Sequence, residues 1–238
     1  RYRMNLTKFE KIAGWAILLP LYFFFGPLIF SFLFALILRV GHVSMGAVEL
    51  NSWYNLFYDT GMLIIAVLIF HRFLKEEFRQ IKGRWIRTIL WSLTAGFIII
   101  YGANILSGML VQLIEPGSSS ANQNALVSML EVQPLPILLA SIVIAPLLEE
   151  LVFRVAIFKG IYPYSRIAAY LASGGIFGLV HILDGLLAGD LSQLAYLLPY
   201  GLLGMVFCWL YEKKGTLAVP VLVHMSNNFV SMMLTLLV

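Results

Sequence analysis

Three ionisable residues interrupt one of the most apolar stretches of this 238-residue chain: Glu149, Glu150 and Arg154, in APLLEELVFR at 145–154. At the centre of a membrane helix each such charge costs roughly 2.5–3.5 kcal/mol on insertion scales, so a partner or a function must offset it. Glu150 and Arg154 stand four residues apart, share a helix face and can pair. Glu149 is five residues from Arg154, about 140° around the helix, and points elsewhere. The spacing therefore predicts a structural ion pair of Glu150 with Arg154, and a Glu149 carboxylate turned to a polar cavity. Pro146, just before them, removes a backbone donor and tends to kink the helix, which would admit water to Glu149.

Partners for Glu149 must come from other apolar runs. Of the four histidines, His42 and His71 fall near run ends and read as interfacial. His181 lies inside FGLVHILDG, with Phe177 four residues before it on the same face. His224 lies inside another run, with Asn228 four residues after it. Ionisable groups within spans usually face the bundle interior and mark function. A glutamate and a histidine can hold one water, with the carboxylate as general base. A second histidine and an asparagine amide can donate to a developing oxyanion. These residue types suit hydrolysis of a carbonyl, most simply a peptide bond. The same groups also suit a proton or ion pathway, or a purely structural polar cluster. One carboxylate with two imidazoles can bind zinc, yet no span carries the paired-histidine spacing of HExxH, and no metal or cofactor is expected. Cys208, the single cysteine, sits in an apolar run with no obvious base and reads as a small buried residue.

Positioning such groups requires helices in lipid. The chain is 61% hydrophobic and 12% charged, with a mean hydropathy of +0.89. A soluble fold of this size needs more polar surface. The expected fold is all-α, a polytopic integral membrane helix bundle of about seven transmembrane helices. The spans are read as roughly 14–38, 55–73, 88–113, 135–159, 166–187, 192–211 and 217–238. An eighth, re-entrant or interfacial piece fits 124–132. The whole of 1–238 reads as one membrane domain, with no internal repeat or inverted pair of broken helices, which counts against a transporter. The chain does not begin with Met, which reads as a trimmed start, and its first apolar run is too long for a cleavable signal peptide.

The net charge of +4 invites a nucleic-acid reading, but the bases cluster in short links between apolar runs. They are Arg1, Arg3, Lys8 and Lys11; Arg72 through Arg87; Lys159 and Arg166; and Lys213 and Lys214. Alternate links are poor in base. The positive-inside rule then puts the N-terminus in the cytoplasm and the C-terminus outside. EPGSSSANQN at 115–124 reads as an external flexible loop. RFLKEEFRQIKGRWIR reads as a cytoplasmic interfacial helix against lipid headgroups. Gly174 and Gly178, and likewise Gly201 and Gly204, read as sites of close helix approach.

Together the motifs Glu149-Glu150-Leu-Val-Phe-Arg154, Phe177-Gly-Leu-Val-His181 and His224-Met-Ser-Asn-Asn228 resemble the CAAX-protease and bacteriocin-processing family of membrane proteins, the ABI or type II CAAX prenyl endopeptidases. The resemblance covers roughly 135–230, which would form the core carrying the motifs. It implies an intramembrane glutamate-type endopeptidase independent of metal. Glu149 and His181 would activate water, His224 and Asn228 would form the oxyanion hole, and Glu150, Arg154 and Phe177 would support the site. The implied partner is a membrane-associated peptide or protein substrate in the lipid bilayer, with no nucleic acid. The implied place is a bacterial cell membrane. The competing expectation is a catalytically silent scaffold or regulator that binds a partner membrane protein. One geometric tension attends these assignments: counted from the cytoplasmic ends, Glu149, His181 and His224 lie about 15, 22 and 10 Å deep, and helix tilt must level them.

Overall fold

The computed structural model describes residues 6–237; residues 1–5 and 238, and with them the charges Arg1 and Arg3, lie outside the described residues. Among the described residues the chain is helical throughout, with no strand. Seven helices are long and apolar enough to cross a membrane: α1 (Lys8–Val40), α2 (Ala47–Ile69), α4 (Trp85–Ile114), α6 (Pro134–Ile161), α7 (Arg166–Leu187), α8 (Leu191–Lys214) and α9 (Ala218–Leu237). Two shorter amphipathic or polar helices lie between them, α3 (His71–Ile81) and α5 (Ala121–Val132). The chain is that of an integral membrane protein, and its exposed surface carries Phe24, Leu28, Phe32, Ile98 and Leu113, side chains suited to lipid.

Local chemistry fixes the ends. Thr7 and Glu10 form a reciprocal capping box at the start of α1. Ser120 and Ser165 cap α5 and α7 through their hydroxyls. Gly215, with φ of 66°, closes α8 in the left-handed conformation that a side chain resists. α3 covers the first part of the segment read as an interfacial helix, whose residues 85–87 belong to α4, and it is anchored: Glu77 is buried and accepts from the Leu217 amide at 3.0 Å. The segment read as a flexible loop is shorter and more ordered than expected. α5 begins at Ala121, and the turn before it is held by the Gln112 side chain, which accepts from the Gly117 amide at 3.1 Å. At 12 residues α5 is too short to span, so the expected eighth piece is a helix packed at one end of the bundle.

α6 is the axis of the molecule. Its segment Glu150–Phe158 is wholly buried and widens to i→i+5 hydrogen bonding. The same widening recurs at Gly14–Leu18, Leu21–Phe25, Ser92–Gly96 and Ala140–Ile144, so it does not by itself mark the site. α7 and α8 pack face to face along glycines. A Cβ on Gly178 would come within 2.7 Å of the Gly201 nitrogen, and one on Gly204 within 2.8 Å of the Gly174 Cα. Small residues let the two backbones touch.

Candidate active site

The ion pair read from the i,i+4 spacing is present. Arg154 Nε lies 3.0 Å from Glu150 Oε2, and both side chains are fully buried. The contact is ionic rather than an aligned hydrogen bond, since neither atom has a hydrogen-bond partner. Arg154 Nη2 donates to the Gly204 carbonyl at 3.2 Å. The rest of the guanidinium lies against ring faces, 4.9 Å from the centroid of Phe177 and 5.0 Å from that of Phe207. A desolvated cation gains from such faces.

α9 brings His224 into the same cluster. Its Nδ1 lies 3.0 Å from Glu150 Oε1, and its ring stacks on Phe207 at 4.6 Å. The other nitrogen, Nε2, faces Glu149 Oε2 at 3.6 Å, longer than a hydrogen bond. Glu149 Oε2 is buried and has no hydrogen-bond partner. Glu149 makes no ion pair with Arg154 among the described residues, yet it does not turn away from the cluster: Glu150 and Glu149 flank the two nitrogens of one imidazole, His224. Glu149 and His224 meet at 3.6 Å, and His181 lines the same cavity, although the three lie at different counts from their helix ends.

His181 is placed differently. Its Nδ1 lies 2.8 Å from the Phe177 carbonyl. A carbonyl only accepts, so the neutral ring carries its proton on Nδ1 and keeps a lone pair on Nε2. The ring is clamped between Phe177 at 4.4 Å and Tyr200 at 4.7 Å. No hydrogen bond joins His181 to Glu149; the imidazole next to Glu149 belongs to His224. Both Glu149 and His181 instead line a cavity of ≈ 1040 Å³, together with His224 and Asn228.

Asn228 is oriented by a relay of amides that the sequence did not reveal. Asn104 of α4 donates to Asn227 at 2.6 Å, Asn227 donates to Asn228 at 3.3 Å, and Asn228 donates to the Ser141 carbonyl of α6 at 2.9 Å. Pro146 explains the last acceptor. In the i→i+5 register of Ala140–Ile144, Ala145 bonds back to Ala140, so residue 146 would bond to Ser141. Proline has no N–H, the Ser141 carbonyl is freed, and the Asn228 amide fills the vacancy. Sequence reasoning also passed over Asp59, a carboxylate on the cavity wall. The signal was the same as for Glu149, an acid inside a span. Starting the second span at 55 rather than at Ala47 made Asp59 look terminal.

Among the described residues no group of three or more His, Cys, Asp or Glu side chains is arranged to hold a metal ion. Cys208 is buried and donates to the Ser173 hydroxyl at 3.3 Å.

Comparison with known proteins points the same way as the geometry. The family described as type II CAAX prenyl endopeptidase Rce1-like matches residues 131–230. YdiL of Bacillus subtilis, which carries a provisional membrane-peptidase name, is 32% identical over 174 residues, 72% of this chain and 67% of its own. The membrane-embedded CAAX protease MroQ of Staphylococcus aureus is 29% identical over 147 residues, 59% of this chain and 55% of its own. YvdC of Lactococcus lactis is 28% identical over 141 residues, 59% of this chain and 51% of its own. The chain thus spans about half the length of the latter two. No solved structure matches.

Proposed function

We propose that this chain, which belongs to the Rce1-like family of type II CAAX prenyl endopeptidases, is an intramembrane endopeptidase of the glutamate type that hydrolyses a peptide bond in a membrane-associated peptide or protein. One observation carries the reading. Glu149, His181, His224 and Asn228 line one cavity, and the Glu149 side chain is 16% exposed while its Oε2 is closed off beside His224. A carboxylate open to a polar cavity can hold a water and take its proton.

Charge balance supports the roles. Glu149, Glu150 and Arg154 leave one net negative charge in a buried cluster, and one proton shared by Glu149 and His224 neutralises it. With that proton on His224, Glu149 keeps a base's lone pair, and His224 Nε2–H, 3.6 Å from Glu149 Oε2 on the cavity wall, becomes a donor. Water then rests between Glu149 and the Nε2 lone pair of His181. Glu149 takes its proton as the oxygen attacks the peptide carbonyl carbon. The carbonyl oxygen takes the electron pair. It meets His224 Nε2–H and the Asn228 amide hydrogen not given to Ser141. On collapse the C–N bond breaks, and Glu149 returns the proton to the leaving amine.

The test uses purified protein in liposomes and a library of internally quenched peptides. Glu149→Gln keeps size and burial but cannot accept the proton. It should lower turnover by about 10²–10⁴-fold, the usual worth of a positioned base, with thermal unfolding unchanged. Equal turnover in Glu149→Gln and native protein would refute the role.

A further inference from the structure

The two ends of this bundle differ in charge and in packing. Among the described residues, every Lys and Arg except Arg39 and the buried Arg154 lies at one end: in Lys8–Lys11, in 72–87, at Lys159 and Arg166, and at Lys213 and Lys214. That end is also sealed. Glu10 accepts from the Phe73 amide at 2.8 Å, and Glu77 accepts from the Thr216 hydroxyl at 2.9 Å, tying α1 and α3 to the start of α9. Tyr162 and Arg166 both donate to Glu212, and Phe158 packs on Tyr170 and Tyr211. At this end the large core cluster contributes Phe70, Phe73, Phe158, Leu210, Tyr211 and Leu217, all buried.

Among the described residues the other end carries Glu49, Glu115, Glu131, Asp184 and Asp190 against Arg39 alone. The cavity runs to this end. From Glu149 and His224 its wall continues through Ser231 to Thr235 at the end of α9, and across to Gln123 and Glu131 of α5. Among the described residues no Lys or Arg lines it. Helix ends rich in Lys and Arg stay in the cytoplasm, and base-poor ends face outward.

From these two asymmetries we propose that the cavity opens on the extracytoplasmic face, so that the segment it takes is polypeptide displayed outside the membrane: a secreted or externally tethered peptide rather than a cytosolic tail. The substrate half of this statement rests on the endopeptidase reading above; the direction of entry rests on charge and packing alone. The volume of ≈ 1040 Å³ lies at the top of the range of about 300–1,000 Å³ for small-molecule pockets, and suits several residues of extended chain.

Single-cysteine labelling decides the direction. In a Cys208→Ala background, Gln123→Cys and Thr235→Cys report the cavity mouth, and Gln80→Cys reports the exposed basic end. A membrane-impermeant maleimide is applied to intact cells and to inverted vesicles. Gln123→Cys and Thr235→Cys should label in intact cells, and Gln80→Cys in inverted vesicles alone. Mouth positions that label in inverted vesicles alone, or from neither side, overturn the proposal. Adding Glu149→Gln to each variant separates the two ideas. It should leave labelling unchanged while removing proteolysis of a peptide supplied from outside. Outside labelling with proteolysis indifferent to Glu149 would refute the endopeptidase reading and leave the entry route standing.

Discussion

Glu150 and Arg154 hold each other at full burial, and neither has water to fall back on. Removing one partner strands the other. Arg154→Met should therefore destabilise the protein by about 3–5 kcal/mol, whereas the double replacement Glu150→Leu with Arg154→Met should recover most of that loss. Thermal unfolding in detergent measures both. A double variant as unstable as Arg154→Met would mean that the ring stacking, the bond to Gly204 and the contact of Glu150 with His224, not the charge pair, hold this part of α6. Asn228 separates chemistry from structure differently. Asn228→Ala should reduce kcat by about 10²–10³-fold, as loss of an oxyanion donor does, with KM little changed. A rise in KM at constant kcat would place Asn228 in substrate binding instead. At this scale the sequence was informative where spacing along one helix decides a contact, as for Glu150 with Arg154. It was silent on the amide relay from Asn104 to Ser141, because three spans contribute to it. The proximity of Glu149 to His224, rather than to His181, likewise depends on how α6 and α9 cross.

Helices α7 and α8 meet along glycine, so their register is set by atoms that are missing. A Cβ on Gly174 would sit 2.5 Å from Met205 Cγ and 3.0 Å from the Gly201 carbonyl, while the neighbouring Gly175 has nothing within 4 Å. Gly174→Ala should cost about 1–3 kcal/mol through overpacking. Gly175→Ala should be neutral or stabilise by up to about 1 kcal/mol, as in any exposed helix interior. Gly174→Ala should lower the unfolding temperature and Gly175→Ala should not, and a joint fall would remove the seam as the cause. The close approach was legible from the small-xxx-small pattern. The widening of Glu150–Phe158 was not, because hydrophobic periodicity carries no sign of an i→i+5 register. Span limits drifted where apolar and polar residues grade into each other: the third span begins at Trp85, and the second at Ala47 rather than 55. That second displacement is what concealed Asp59.

The whole molecule joins a sealed basic end to an open acidic one, with the ionisable cluster at the boundary between them. Composition alone announced seven spans, since apolar runs of that length have no other stable home. The cavity was invisible in the sequence, because its lining comes from seven helices and its volume depends on what they leave unfilled. If Glu149 is the base that drives hydrolysis there, membranes should record it. The most direct measurement is quantitative mass spectrometry of membrane peptides from cells carrying native protein or Glu149→Gln at matched levels. The account predicts peptides with new termini that appear with the native protein and vanish with Glu149→Gln. Identical peptide profiles, with the biological role intact in the variant, would contradict it and leave the charges of α6 as the frame of a scaffold.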